Sequence, residues 1–181
     1  MRELATAERI TAFMRALSRA ATSAGRVYLT GGATAVLHGW RDTTIDVDIK
    51  LVPDADALLR AIPALKESLD LNVELASPDQ FIPVKDGWAD RSPFICQEGL
   101  LSFHHFDLYA QALAKIERGH ATDRRDVAEL IKRGLVDPNR LVAYFEAIQP
   151  DLYRFPAIDP ASFARAVADV AANSKRPRGP A

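Results

Sequence analysis

Ile10, Phe13, Met14, Leu17, Ala20 and Ala21 recur at helical spacing, and Arg9, Arg15 and Arg19 fall largely outside that stripe. The pattern predicts an amphipathic helix over about residues 6–24, with Gly25 as its stop. Arg26–Thr30 then reads as a short strand broken by Gly31-Gly32. Residues 33–38 suit a short helix that starts directly after the glycines, and Gly39 and Asp42 mark a loop. From Thr44 to Val52 apolar and polar residues alternate strictly, which predicts a half-buried strand. Ile45, Val47 and Ile49 are expected to pack on one of its faces. A helical stretch runs from Pro53-Asp54 to about Leu69, and Pro63 inside it predicts a kink or a split. Alternation returns at Leu71–Ala76. Weaker strand patterns lie at 81–84, 94–97 and 101–106, with a Pro-, Asp- and Gly-rich loop over 85–93.

From Asp107 the period becomes helical. Helices are expected at 107–118, at 123–133 with Gly134 as a stop, at 138–148 and at 161–172. Asp137-Pro138 supplies an N-cap followed by proline at the first helical position. The expected class is therefore α+β, a small mixed sheet flanked by helices and followed by a helical C-terminal half. The expected organisation is an α/β core over 1–106, a helical region packed on it over 107–172, and a disordered tail over 173–181, where core-forming residues are absent.

Composition narrows the partners. The chain has 181 residues, 48% of them hydrophobic, enough to bury a core in one domain or a small domain with a helical appendage. A formal net charge of -1 gives the whole molecule no pull on nucleic acid, so RNA would need a local basic patch, for which the tail is one source. The single cysteine, Cys96, excludes an intramolecular disulfide and fits a reducing cytoplasm. Its apolar neighbours Phe94 and Ile95 mark it as a small buried hydrophobe. The N-terminus has no signal-peptide pattern, and no run of about 18 apolar residues predicts a membrane span.

The candidate chemistry starts at Asp46 and Asp48. Two apart on a strand, their carboxylates leave the same face. Such a pair repels itself unless water or a cation lies between. Mg²⁺ takes hard oxygen ligands, commonly one or two carboxylates plus substrate phosphates. An exposed acidic strand face is the plainer alternative. Glu74, in the alternating segment Asn72–Leu75, can complete a three-carboxylate cluster if its strand pairs beside the first. Gly31-Gly32 allows a tight turn and close approach to a phosphate. Arg41 either contacts a phosphate or braces the loop before Asp46. Trp40 and Trp88 either line a base pocket or pack in the core or loops. His104 and His105 are strand neighbours pointing opposite ways, so a shared zinc ion is not expected.

The segment from Thr30-Gly31-Gly32 through Asp46-Val47-Asp48-Ile49 resembles the signature of the polymerase β-type nucleotidyltransferase superfamily: a glycine turn, a short helix, then an acid-hydrophobe-acid strand. The spacing from Arg41 to Asp46 is similar to that in small bacterial members of the abortive-infection and type IV toxin group. Lys115-Ile116-Glu117-Arg118 followed by Asp123-Arg124-Arg125-Asp126 resembles that group's lysine-then-DxxD pattern, with His120 and Thr122 where basic residues are usual. The resemblance implies transfer of a nucleoside monophosphate from an NTP to a hydroxyl acceptor, with Mg²⁺ or Mn²⁺ as cofactor. It implies Asp46, Asp48 and Glu74 as metal ligands and Gly31, Gly32, Arg41 and Lys115 at the nucleotide. Lys115 and Asp123 join the acids as catalytic residues. The acceptor it suggests is tRNA or another RNA, with a protein hydroxyl or a small molecule as alternatives, and a cognate antitoxin as partner. Two rival readings stand beside it: a non-catalytic relative that binds a nucleotide or a partner, and a nucleic-acid-binding module using the basic tail.

Overall fold

A computed structural model describes residues 3–174. Helix α1 spans Ala7–Arg19, with Thr6 capping it by accepting from the Arg9 N–H at 3.3 Å. It ends earlier than its periodicity suggests, because the Ala20 N–H turns back to the Leu17 carbonyl and the chain bends toward the sheet. Gly25 is the first residue of strand β1, Gly25–Thr30, and not the helix stop. Helix α2, Gly31–Leu37, follows without a linker. Strand β2 is Asp46–Val52, α3 Asp56–Ser68 and β3 Asn72–Glu74. A 3-10 turn, Pro78–Gln80, and a short helix α4, Trp88–Arg91, precede β4, Phe94–Glu98, and β5, Leu101–His105. Four helices follow: α5 Leu108–Arg118, α6 Ala121–Lys132, α7 Pro138–Ile148 and α8 Pro160–Ser174.

The class is α+β as expected, a five-stranded mixed sheet with a helical C-terminal part. Strand order is β3-β2-β1-β5-β4. β1 runs antiparallel to β2 and parallel to β5, while β2 and β3 are parallel. The register puts Val27, Leu29, Val47, Ile49 and Phe103 on one face, in a core with Ile10, Phe13 and Leu17 of α1 and Leu58 and Ile62 of α3. Full burial of each such side chain contributes about 1.5–3 kcal/mol. The opposite face carries the polar members of the alternation.

Several local expectations change. Ile45 does not pack with Val47 and Ile49; it is 68% exposed. Thr44 and Ala5 exchange backbone hydrogen bonds in an isolated bridge just before β2, and the strand proper begins only at Asp46. Pro63 neither splits nor ends α3, because it lies on the exposed side, where water can satisfy the carbonyl its missing N–H leaves behind. Residues 81–84 form no strand: the Phe81 and Ile82 N–H groups both donate to the Pro78 carbonyl, and Pro83 has no N–H to give a ladder. Cys96 is half-buried at the margin of the core rather than enclosed in it, and burial raises its thiol pKa. Asn173 and Ser174 are the end of α8 rather than the start of a tail, and 175–181 lie outside the described residues.

The chain forms two compact units. One holds residues 3–77 and 89–107, including the whole sheet; the other holds 78–88 and 108–174.

Candidate active site on the acidic strand face

Asp46 and Asp48 leave the sheet face opposite Val47 and Ile49, as their alternation requires. Register then assembles a polar row across the strands: Thr30 of β1 opposite Asp48 of β2, and Asp48 opposite Glu74 of β3. Asp46 and Asp48 are half-buried and Glu74 is exposed.

The glycine turn meets this row directly. Gly31 has φ +61°, a left-handed conformation that side chains rarely adopt. A Cβ at that position would stand 2.6 Å from Asp48 Oδ2. A Cβ at Gly32 would collide with the Thr44 hydroxyl, and that hydroxyl donates to the Asp46 carbonyl at 3.1 Å. The two glycines are therefore fitted against the two ends of the acid-hydrophobe-acid segment. Any side chain in the turn would push on the carboxylate or on the residue that fixes its approach.

Asn72 was not singled out by the sequence. Its Nδ2 donates to Asp46 Oδ1 and to Glu74 Oε1, the latter at 3.2 Å, so it links the two acids from the edge strand. Its signal was its place two residues before Glu74 in an alternating strand, on the same face. Lys50 was also passed over. It shares the face of Asp48 two residues further along β2.

The donor set fits a divalent cation of the Mg²⁺ type at the Asp46/Asp48 pair, two hard oxygen ligands on one face. Among the described residues no group of three or more His, Cys, Asp and Glu side chains is placed to hold a metal ion. Glu74 lies in register with Asp48 on the neighbouring strand.

Arg41 is half-buried in the loop between α2 and β2. Trp40 stacks on His38, centroids 5.4 Å apart, and His38 stacks on the buried His105 at 4.3 Å. His105 Nδ1 also meets the Thr34 hydroxyl at 3.2 Å. Burial, with His38 and His104 nearby, pushes the His105 pKa down to about 3, so the ring is neutral.

The helical unit holds the second sequence pattern. Lys115 Nζ lies 2.6 Å from Asp126 Oδ2 and 3.5 Å from Asp123 Oδ1, with all three side chains buried. Arg118 donates to both Asp123 oxygens, at 2.8 and 2.6 Å. Asp123 Oδ2 also accepts from the His120 N–H at 3.3 Å, capping the start of α6. Burial alone would raise the Asp123 pKa, but the Arg118 bonds and the Lys115 charge outweigh it and hold it below the ordinary aspartate value. The expected i, i+3 pairing of Asp123 and Asp126 on one helix face is thus present, turned inward onto Lys115.

The family described as nucleotidyltransferase of unknown function (DUF6036) matches residues 6–154 of this chain. The chain belongs to that family. The DUF6036 match spans the whole sheet, the glycine turn, both acids of β2 and the Lys115–Asp126 network, and it stops before α8. No curated protein and no solved structure matches the chain. Among the described residues no helix is long and apolar enough to cross a membrane.

Proposed function

We propose that this DUF6036 member transfers a nucleoside monophosphate from an NTP to a hydroxyl acceptor, with Asp46 and Asp48 as the acids of the reaction centre. The observation that carries this reading is the seat of the Asp48 carboxylate against the Gly31 turn. It fixes one carboxylate of the Asp46/Asp48 face directly beside the turn that joins β1 to α2. Asp46 and Asp48 would hold Mg²⁺ or Mn²⁺ together with the substrate phosphates, and the cation when bound supplies charge neutralisation at the phosphates. Gly31 and Gly32 make room for the Asp48 carboxylate and the Thr44 hydroxyl, and so set where the acid pair stands. Asn72 fixes the direction of Asp46 through its amide, with Glu74 on its other side. Lys50, on the same face, adds positive charge within reach of the phosphates.

The test is incubation with each α-phosphate-labelled NTP, Mg²⁺ and cell lysate. Wild type is expected to pass label to an acceptor, and Asp46→Asn and Asp48→Asn to lower transfer at least 100-fold while melting near the wild-type temperature. Full transfer by either variant ends the reading. The resemblance of the Lys115–Asp126 pattern to the type IV toxin group supports a toxin-like role with a cognate antitoxin; expression should then arrest growth of a bacterial host, and Asp48→Asn should relieve the arrest.

One observation favours a second reading, nucleotide binding without transfer. The Lys115 ammonium is engaged by Asp126 inside the helical unit rather than held out for a ligand. Saturable NTP binding with no label moved to any acceptor would select it.

A further inference from the structure

A groove of about 640 Å³ lies between α3 and β3. Leu59, Ile62 and Pro63 form one wall, and Val73 and Leu75 the other. Its charged lining is Lys66, Glu67 and Glu74, one cation against two anions. Leu75 is 48% exposed.

Two features decide what fits. β3 is a terminal strand of the described sheet, paired to β2 on one side. A sheet edge is a template for an extended chain, which adds as a further strand through main-chain hydrogen bonds and places alternate side chains in a flanking groove. The lining is mostly apolar, and its ionised groups are on balance negative, which repels a polyphosphate backbone and accepts a neutral or basic peptide. Both features select a protein segment over an RNA.

Strand geometry connects this groove to the acidic face. Val73 points into the core on the α3 side, while Asn72 and Glu74 belong to the face of Asp46 and Asp48. Successive side chains of an added strand leave opposite faces. One set would enter the groove and the other would emerge beside Glu74. Neighbouring strands lie about 4.8 Å apart, so a residue added opposite Glu74 stands about 10 Å from Asp48. A tyrosine, threonine or serine side chain together with a phosphate can span that gap.

We propose that the acceptor is a protein, whose extended segment docks on the β3 edge with apolar side chains in the α3–β3 groove and a hydroxyl on the acidic face. This rests on the transferase reading above. The hydroxyl oxygen forms the new bond to the α-phosphorus, the α–β phosphoanhydride bond breaks, and pyrophosphate leaves. The hydroxyl proton passes to an acidic side chain and on to solvent.

The test uses the full chain and a pool of decapeptides alternating valine, leucine or isoleucine with tyrosine, threonine or serine, with lysine at each end. The pool is expected to bind saturably and to take label from an α-phosphate-labelled NTP. A matched pool N-methylated at alternate residues, which loses edge hydrogen bonds but keeps its side chains, should bind at least tenfold more weakly. Leu75→Glu, at an exposed position, should also weaken binding at least tenfold, and Lys66→Glu should favour the lysine-ended pool. Equal binding of the methylated pool, or no effect of Leu75→Glu, overturns the proposal. Label passing to total tRNA while the peptides stay unbound overturns it too, and leaves the transferase reading standing. Saturable, methylation-sensitive peptide binding with no label passing to the peptides overturns the proposal that the docked segment is the acceptor, and label transfer in lysate then decides the transferase reading on its own.

Discussion

Gly31 is constrained twice over, by a backbone angle of φ +61° and by the Asp48 carboxylate in the space a Cβ would need. Gly31→Ala is therefore expected to cost about 1–3 kcal/mol of stability and to depress transfer beyond that loss. Chemical denaturation alongside label transfer separates the two effects. His105 gives a second prediction. Its folded pKa of about 3 lies below the ordinary 6.5, so between those values the unfolded chain binds a proton that the folded one refuses. Stability should fall as pH drops through that window, by at most about 1.4 kcal/mol per unit. His105→Gln should flatten the slope between pH 6.5 and 4 in denaturation curves. The lowered Asp123 pKa adds its own loss only below the ordinary aspartate range, so the two groups separate on the pH axis. At this scale Asp46 and Asp48 were legible because strand period alone puts them on one face. Asn72 and Thr44 were not, because an amide 26 residues from its carboxylate and a hydroxyl filling a glycine's empty side leave no trace in local pattern.

Helices α5 and α6 are joined by a buried charge, and that fixes what breaking it should do. Lys115→Met leaves Asp126 and Asp123 short of a cation in a dry site, an expected loss of about 3–5 kcal/mol. The double change Lys115→Met with Asp126→Leu removes both charges and should recover most of it. Thermal melts of the single and double variants read the difference. If the double variant is stable yet cannot transfer, Lys115 also serves the chemistry; if it transfers normally, the pair is structural. Elements that bury a single apolar stripe were readable from the chain, as at α7, where Asp137 and Pro138 mark the start. The misread ones turn on events outside their own window. Ile45 faces outward because Thr44 is already tied to Ala5, 39 positions earlier, and α1 stops short because the chain must turn into β1. The segment at 81–84 looks like a strand by composition, but its N–H groups are claimed by Pro78.

On the scale of the whole molecule the chain passes between its two units at 77/78, 88/89 and 107/108. The short excursion 78–88 belongs with the helices although it lies between strands in sequence, and it contains the fully buried Ile82. A fragment ending at 107 should then expose that segment, bind an apolar dye and aggregate. The change from strand to helix near 107 was readable because the apolar period shifts there. The excursion was not, because the strand pattern at 81–84 placed its residues with the sheet while they group with the helices.

The same interleaving bears on synthesis. Central strand β1 takes its second neighbour from β5, with Gly25 opposite Leu101. On the ribosome, everything from 78 to 100 must be translated before that edge of β1 can close. A nascent chain paused in this window carries a hydrophobic strand with one bare side, the state in which pairing with another chain competes with its own completion. Slow codons that hold the chain before Leu101–His105 has emerged from the ribosome should therefore lower the soluble yield more than the same delay placed after it has emerged.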